Sequence, residues 1–303
     1  MHLGNSIICP VTGIPMLAVA GVAAFYAYKK AKKDFSKDKI FPTVAATALV
    51  FALQMINFSI PQTGSSGHIV GGLLLAALLS PSVAFLAMCS ILIVQAVFFA
   101  DGGLLALGCN IFNMGILACF VAYPLFYKPL ADKNKPILGA ILASVVALQL
   151  GSLAVVAEGA LSGTIAVSGL AGFAALMQGI HLPIGLAEGI VTGGIVAVSK
   201  IVDSKKLSCW FAGAALVLAG VISQFASAKP DGLEWSLLNI SDFVTEQTQG
   251  AIFAASEFAQ HKTAVLANLP YSVGNVLGLF AIAALMFLVC KNFKREAIKV
   301  NEQ

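Results

Sequence analysis

The N-terminal pair Met1-His2 and one distant residue, His68, are the residues whose types could act together chemically. Covalent geometry joins a free terminal amine, the amide nitrogen of residue 2 and an imidazole on residue 2. A metal held by all three closes one five-membered and one six-membered chelate ring. The three nitrogens then lie nearly in one plane, and His68 could supply a fourth. Four nitrogens in a plane are the arrangement that Ni(II) and Cu(II) prefer.

Two further features of the sequence bear on this chelate. Methionine removal requires a small second residue, and His2 is bulky, so we expect Met1 to be retained. His68 follows four small residues, 64–67, which would let the loop pack tightly and turn the imidazole towards a ligand. The alternative is a helix N-terminus capped by a serine of this stretch, with His68 at the membrane interface. The pairing with Met1-His2 favours the metal-binding interpretation.

The elements that must position these donors are membrane helices. The chain has 303 residues, of which 59% are hydrophobic and 11% charged, and its mean hydropathy is +0.92. A soluble domain carries about 25% charged residues. The composition therefore predicts an all-α, polytopic helical membrane bundle. Apolar runs predict about nine transmembrane helices, near 12–28, 40–58, 69–80, 83–100, 103–126, 137–158, 176–199, 207–226 and 273–290.

The basic residues predict the orientation of the bundle, because positive residues favour cytoplasmic loops. All of the 18 lysines and arginines except Lys229 and Lys262 lie in loops 29–39, 127–136 and 200–206 or in the tail after residue 290. With nine spans and the N-terminus outside, these loops and the C-terminus are cytoplasmic. Both segments that carry the proposed donors then lie on the outer face, where a metal ion would arrive.

A change in character near residues 200–206 predicts two units. Residues 1–203 would form a metal-capture domain, and residues 204–303 an accessory unit with two spans and a long outer loop at 227–272. The Gly/Ser-rich segment 159–175 is expected to be interfacial or re-entrant.

Polar side chains inside the predicted helices are a second group of candidates. Asn110 and Asn113 lie in the fifth helix, where amides usually hydrogen-bond between helices; support or coupling of the metal site is the alternative. His181 and Glu188 lie two turns apart on one helix face, either as functional groups or as a structural pair that holds a broken helix. Glu158, at a predicted helix end, is expected to be interfacial.

Other motifs mainly exclude functions. The six cysteines show no C-x-x-C or zinc spacing and are expected to be packing residues, with Cys9 a remote candidate for a metal ligand. The chain has no G-x-x-x-x-G-K-[ST], no H-E-x-x-H, no nucleophile elbow and no dinucleotide fingerprint. We therefore expect a protein that is not an enzyme, and any energy for uphill transport would come from another protein.

Four motifs in order resemble the substrate-capture component of nickel/cobalt energy-coupling-factor transporters, the NikM/CbiM family. They are Met1-His2, GSSGHIVGG at 64–72, DGGLLALGCNIFNMG at 101–115 and HLPIGLAE at 181–188. This resemblance covers roughly residues 1–200. The sequences PDGLE at 230–234 and LPYSV at 269–273 resemble the small accessory N component, so the whole chain looks like the fused, NikMN-like form.

The resemblance implies a site and partners. The amine of Met1, the amide and imidazole of His2 and the imidazole of His68 would bind Ni(II) or Co(II) as the transported substrate, without an organic cofactor. The partners would be a transmembrane coupling protein, two cytoplasmic ATPase subunits and membrane lipid, but no nucleic acid, in the cytoplasmic membrane of a prokaryote. The residues that would support or couple the site are Ser66, Asn110, Asn113, His181 and Glu188.

We expect nickel uptake, and three alternatives stay open. Cobalt uptake by the same mechanism is the first, because the stretch 3–6 lacks the acidic residue that many relatives carry after the histidine. The second is a membrane subunit of a proton- or redox-linked complex, with His181, Glu188 and Glu158 as a relay. The third is a structural membrane scaffold that binds no metal.

Overall fold

The computed structural model describes residues 1–300, except for the side chains of Asp34 and of residues 294–300. Helices dominate, so the all-α prediction is confirmed. They are α1 (Pro10–Asp34), α2 (Ile40–Gln54), α3 (Gly72–Leu78), α4 (Pro81–Val94), α5 (Leu107–Ile111), α6 (Lys128–Ala131), α7 (Pro136–Leu161), α8 (Leu170–Ser199), α9 (Ser204–Gly220), α10 (Gly232–Leu238), α11 (Ala251–Thr263) and α12 (Tyr271–Val300). Two short strands, β1 (Phe58–Ser59) and β2 (Ser66–Gly67), pair antiparallel with Phe58 opposite Gly67.

Wider, π-type turns extend two of the helices. They lengthen α4 over Gln95–Phe99 and join α5 to α6 over Phe112–Tyr127. Within the described residues, six helices are long and apolar enough to cross a membrane: Pro10–Lys33, Pro81–Phe99, Leu107–Ala131, Pro136–Leu161, Val167–Ser199 and Tyr271–Phe293. These six match predicted spans, and the molecule is a polytopic membrane bundle.

The other three predicted spans coincide with shorter helices. α2 has 15 residues, α3 has 7 and α9 has 17. At 1.5 Å per residue, α3 rises only about 10 Å, whereas the hydrocarbon core is about 30 Å thick. The count of nine spans and the orientation of the bundle therefore stay predictions, and the basic side chains at 294–299 lie outside those that the structure describes.

The segment 159–175 is not a separate re-entrant piece; it joins two long helices, and its interfacial position stays a prediction. It ends α7 at Leu161, turns, and begins α8 at Leu170. The two helices pack antiparallel. Their backbones approach closely because glycines on α8 face α7. A β-carbon on Gly189 would lie 2.5 Å from the Cα of Ile141, and one on Gly185 would lie 3.0 Å from the Cα of Val145.

Segments that are distant in the sequence come together in two separate groups. A cavity of about 260 Å³ brings together the first lysine-rich loop, the α3–α4 turn and the start of α9, through Lys30, Ser80, Ser82 and Ser204. The N-terminal segment, the 59–67 hairpin and the segment around residue 230 form a second group, which lies around the proposed donors.

Candidate metal centre

The N-terminal segment is inserted into the bundle, and the backbone of Leu3 anchors it. Leu3 N donates to Asn110 Oδ1 at 2.8 Å, and Leu3 O accepts from Asn110 Nδ2 at 3.1 Å and from Gly103 N at 2.8 Å. Met1 and Leu3 are buried. Gly103 is required at its position because a β-carbon there would lie 2.3 Å from Asn5 N. These contacts place residues 1 and 2 inside the protein rather than in solvent.

The structure brings the three predicted donor residues together. The imidazole rings of His2 and His68 are stacked, with centroids 5.2 Å apart and planes inclined by 22°. The terminal amine of Met1 lies 3.3 Å from Asp231 Oδ2, and His2 Nδ1 lies 3.5 Å from Asp101 Oδ1. His2 Nε2 is buried and makes no hydrogen bond. A cavity of about 290 Å³ adjoins both imidazoles and both carboxylates.

The electrostatics keep both imidazoles neutral. Burial, reinforced by the Met1 ammonium, lowers the pKa of His2 to about 3, and the same two causes, with His2 itself, lower the pKa of His68 to about 3. Burial alone would raise the pKa of Asp231, but the Met1 ammonium, the hydrogen bond from Glu234 N and the two imidazoles together hold that pKa below its usual value. Neutral imidazoles are the form that coordinates metals.

His68 belongs to a buried, non-helical stretch between β2 and α3. Its Nδ1 lies 3.4 Å from Ile69 O; with Nδ1 as the donor, Nε2 keeps its lone pair for a metal. Ser66 does not cap α3, so the capping interpretation is wrong: α3 begins at Gly72. Instead, Ser66 Oγ donates to Lys229 O at 2.7 Å.

Glu188 holds the backbone that follows His68. Its carboxylate accepts from Val70 N at 2.7 Å and from Gly71 N at 3.1 Å. Buried non-helical backbone needs such partners, because an unpaired N–H group away from water costs free energy. The proposed structural pair of Glu188 with His181 in a broken helix is wrong, because α8 continues through Pro183.

His181 comes close to the donors without pairing with Glu188. Its Nδ1 hydrogen-bonds to Met177 O at 2.7 Å. Its side chain borders a space of about 10 Å³ together with Met1, His68 and Asp231. That volume is at the lower limit for one water molecule.

Two further residues differ from expectation. Glu158 is buried rather than interfacial, and its Oε2 accepts from Asn113 Nδ2 at 2.7 Å. Asn113 therefore joins two helices, as predicted, whereas Asn110 binds the N-terminal segment.

All six cysteines are free; Cys209 is exposed and so is not a packing residue. Cys9 Sγ lies 3.5 Å from Thr12 Oγ1.

Two acidic residues, Asp101 and Asp231, lie at this site although the sequence does not predict them there. In the sequence, Asp101 belongs to the run 101–115 and Asp231 to the PDGLE motif. A capping box, in which Asp231 and Glu234 reciprocally bind backbone N–H groups, is readable from the D-x-x-E spacing. Among the described residues, no group of three or more His, Cys, Asp or Glu side chains could hold a metal. The predicted chelate takes two of its four nitrogens from the amine and the backbone.

Comparisons with known proteins agree with this architecture. Residues 2–205 match the family described as the cobalt uptake substrate-specific transmembrane region, and residues 205–295 match the PDGLE domain. The fused nickel transport protein NikMN of Rhodobacter capsulatus is 28% identical over 284 residues, which cover 84% of this chain and 80% of that protein. The putative fused nickel transport protein NikMN of Archaeoglobus fulgidus is 37% identical over 158 residues, which cover 52% of each.

A solved structure is also similar. The crystal structure of a truncated transition metal transporter superposes with a TM-score of 0.58 and is 30% identical. The match covers 66% of this chain and 99% of that one.

Proposed function

The chain belongs to the cobalt uptake substrate-specific transmembrane family, and from this premise we propose that it captures Ni(II) for an ATP-driven energy-coupling-factor transporter. It is a multi-pass membrane component of nickel or cobalt transport. The proposal adds the ion, the site and the energy source, and it places the protein in the cytoplasmic membrane of a prokaryote with its N-terminus outside.

The observation that carries the proposal is the meeting of Met1, His2 and His68 in one buried place. In the chelate, the Met1 amine and the His2 amide close the five-membered ring, and His2 Nδ1 closes the six-membered ring. In this structure that Nδ1 faces the Asp101 carboxylate. Binding of the ion would replace this contact. His68 Nε2 would supply the fourth nitrogen. Four strong-field nitrogens in a plane favour Ni(II).

Cobalt is the second candidate ion, and the description of the matching family supports it. The same four nitrogens would bind Co(II), but a planar site satisfies Co(II) less well than Ni(II). Competition between the two ions for one purified sample decides between them. Displacement of bound Co(II) by an equal concentration of Ni(II) supports nickel, and the reverse supports cobalt.

The proposed partners are a transmembrane coupling protein and two cytoplasmic ATPase subunits. The absence of a P-loop motif from the sequence supports an external source of energy. Cells that express the chain with these partners should accumulate nickel, and inactivation of the ATPases should abolish the accumulation. Undiminished uptake with inactive ATPases would contradict the ATP-driven part of the proposal.

The site itself is tested by titrating the purified full chain with Ni(II). His2→Ala and His68→Ala should each weaken binding strongly, because each removes an imidazole nitrogen. His261→Ala is the control, since it deletes an exposed imidazole that does not line the cavity beside His2 and His68. Unchanged Ni(II) binding in both His2→Ala and His68→Ala would contradict the proposed site.

A further inference from the structure

The segment Lys229–Asp231 touches both parts of the chain that carry the proposed donors. Asp231 Oδ2 lies 3.3 Å from the terminal amine of Met1. Pro230 O accepts from Ser66 N at 2.8 Å, and Asp231 forms an isolated parallel bridge with Ser66, two residues before His68. One short segment of the predicted accessory unit therefore connects the N-terminus to the His68 loop.

The two oxygens of the Asp231 carboxylate have different partners. Oδ1 accepts from Leu233 N and from Glu234 N, both at 2.8 Å, and so caps the N-terminus of α10. The Asp231 backbone N–H donates to Glu234 Oε2 at 3.1 Å, which completes the capping box. With Oδ1 and the backbone held in this way, the direction of Oδ2 towards Met1 is set by the helix cap.

From this geometry, and on the basis of the proposed function, we infer that Asp231 is a positioning residue of the metal site. Its Oδ2 orients the Met1 amine, and its backbone neighbours hold the strand that leads to His68. A metal-bound amine still carries N–H groups, so Oδ2 can continue to accept a hydrogen bond after the ion has bound. Such outer contacts fix the orientation of a ligand and tune the affinity of the site.

The competing explanation is that Asp231 acts only as a negative charge that attracts a cation. Glu234 provides a matched comparison, because it lies in the same capping box and lines the same cavity. The Glu234 carboxylate accepts a hydrogen bond from Asp231 N, whereas the Asp231 carboxylate faces Met1. A general electrostatic effect would respond to the loss of either charge, with a smaller response for the more distant one, whereas positioning depends on Asp231 alone.

The test uses Asp231→Asn and Glu234→Gln in the full chain, with Ni(II) as the probe. Asparagine caps helices about as well as aspartate, so α10 and the fold are retained, but the acceptor that faces the Met1 amine is lost. Asp231→Ser, which also caps but cannot reach the amine, is the second variant. Titration gives the affinity, and the visible absorption of bound Ni(II) reports whether the site is planar.

We expect Asp231→Asn and Asp231→Ser to weaken Ni(II) binding roughly 10–100-fold and to diminish the absorption of the planar complex. Glu234→Gln should leave both nearly unchanged. Wild-type affinity and spectrum in Asp231→Asn, or an equal loss in Glu234→Gln, would overturn the inference. If the wild-type chain itself bound neither Ni(II) nor Co(II), the proposed function would fail, which is distinguishable from failure of the role of Asp231.

Discussion

Asn110 holds the backbone of Leu3 from both sides, accepting a hydrogen bond from Leu3 N at 2.8 Å and donating one to Leu3 O at 3.1 Å. The bonded residue comes directly after His2, so this amide determines where the N-terminal pair lies. A side chain in the middle of the bundle thus sets the position of a chain terminus that would otherwise fray.

Replacing Asn110 should therefore impair metal binding. Asn110→Ala removes both bonds to Leu3, and we expect Ni(II) affinity to fall roughly 10–100-fold, measured by calorimetric titration. Asn113→Ala is the control, because Asn113 is a buried amide one turn away that binds Glu158 instead. An equal loss of affinity in both variants would contradict the specific role of Asn110.

Glu188→Gln should destabilise the protein and weaken metal binding together. The substitution leaves the shape but removes the charge that accepts from Val70 N and Gly71 N. Hydrogen bonds to charged groups contribute about 1.5–3 kcal/mol, so the midpoint of thermal unfolding should fall, and the His68 loop should lose its order. Glu158→Gln alters a different buried carboxylate and should leave Ni(II) affinity nearly unchanged. If Glu188→Gln bound Ni(II) as tightly as wild type, Glu188 would have no role in the metal site.

Gly103→Ala should displace the N-terminal segment. The new β-carbon would lie 2.3 Å from Asn5 N and Asn5 Oδ1, so residues 1–5 must move and the donors with them. We expect loss of Ni(II) binding in a protein that still folds, measured by titration beside size-exclusion chromatography. Gly179→Ala has nothing within 4 Å of its β-carbon and should behave as wild type. Full Ni(II) binding by Gly103→Ala would show that the segment does not need its observed position.

Nickel affinity should decrease as the pH is lowered. The cause is protonation of the amine and the amide rather than of the imidazoles. Coordination removes one proton from the Met1 ammonium and one from the His2 amide, so log Kd should change by about two per pH unit while the ammonium is protonated. Burial and the ammonium lower the pKa of His2 and His68 to about 3, so neither imidazole holds a proton at pH 5–7. Titrations across this range measure the slope. A steepening towards about four below pH 6.5 would mean that both imidazoles titrate at their ordinary pKa.

The bundle could be predicted from the sequence, as could three candidate donors that the structure brings together, but their surroundings could not. Long apolar runs made six spans readable, and three of these begin at Pro10, Pro81 and Pro136, because proline suits the first turn of a helix. The chemistry of Met1-His2 is local and needs no fold. Asp231 could not be found in this way, because it contacts Met1 across 230 positions and no periodicity links the two. The run 69–80 is visibly short for a span, but the start of α3 at Gly72 could not be predicted, since apolar composition does not show where buried backbone leaves the helix.

The terminal chelate is the central claim, and a change at the terminus tests it most directly. The full chain with its native N-terminus and the same chain with two alanines placed before Met1 should be titrated with Ni(II), and their visible spectra compared. Two residues are needed because a single one would place the histidine third from the amine, where a terminal four-nitrogen chelate can form again. With two, every side chain of the sequence is kept, but the Met1 amine becomes an amide and the histidine lies too far from the new amine to close the chelate rings. We predict one tightly bound ion and a planar Ni(II) spectrum for the native chain, and neither for the extended chain with an unchanged unfolding temperature. Equal affinity and equal spectra for the two chains would contradict the account.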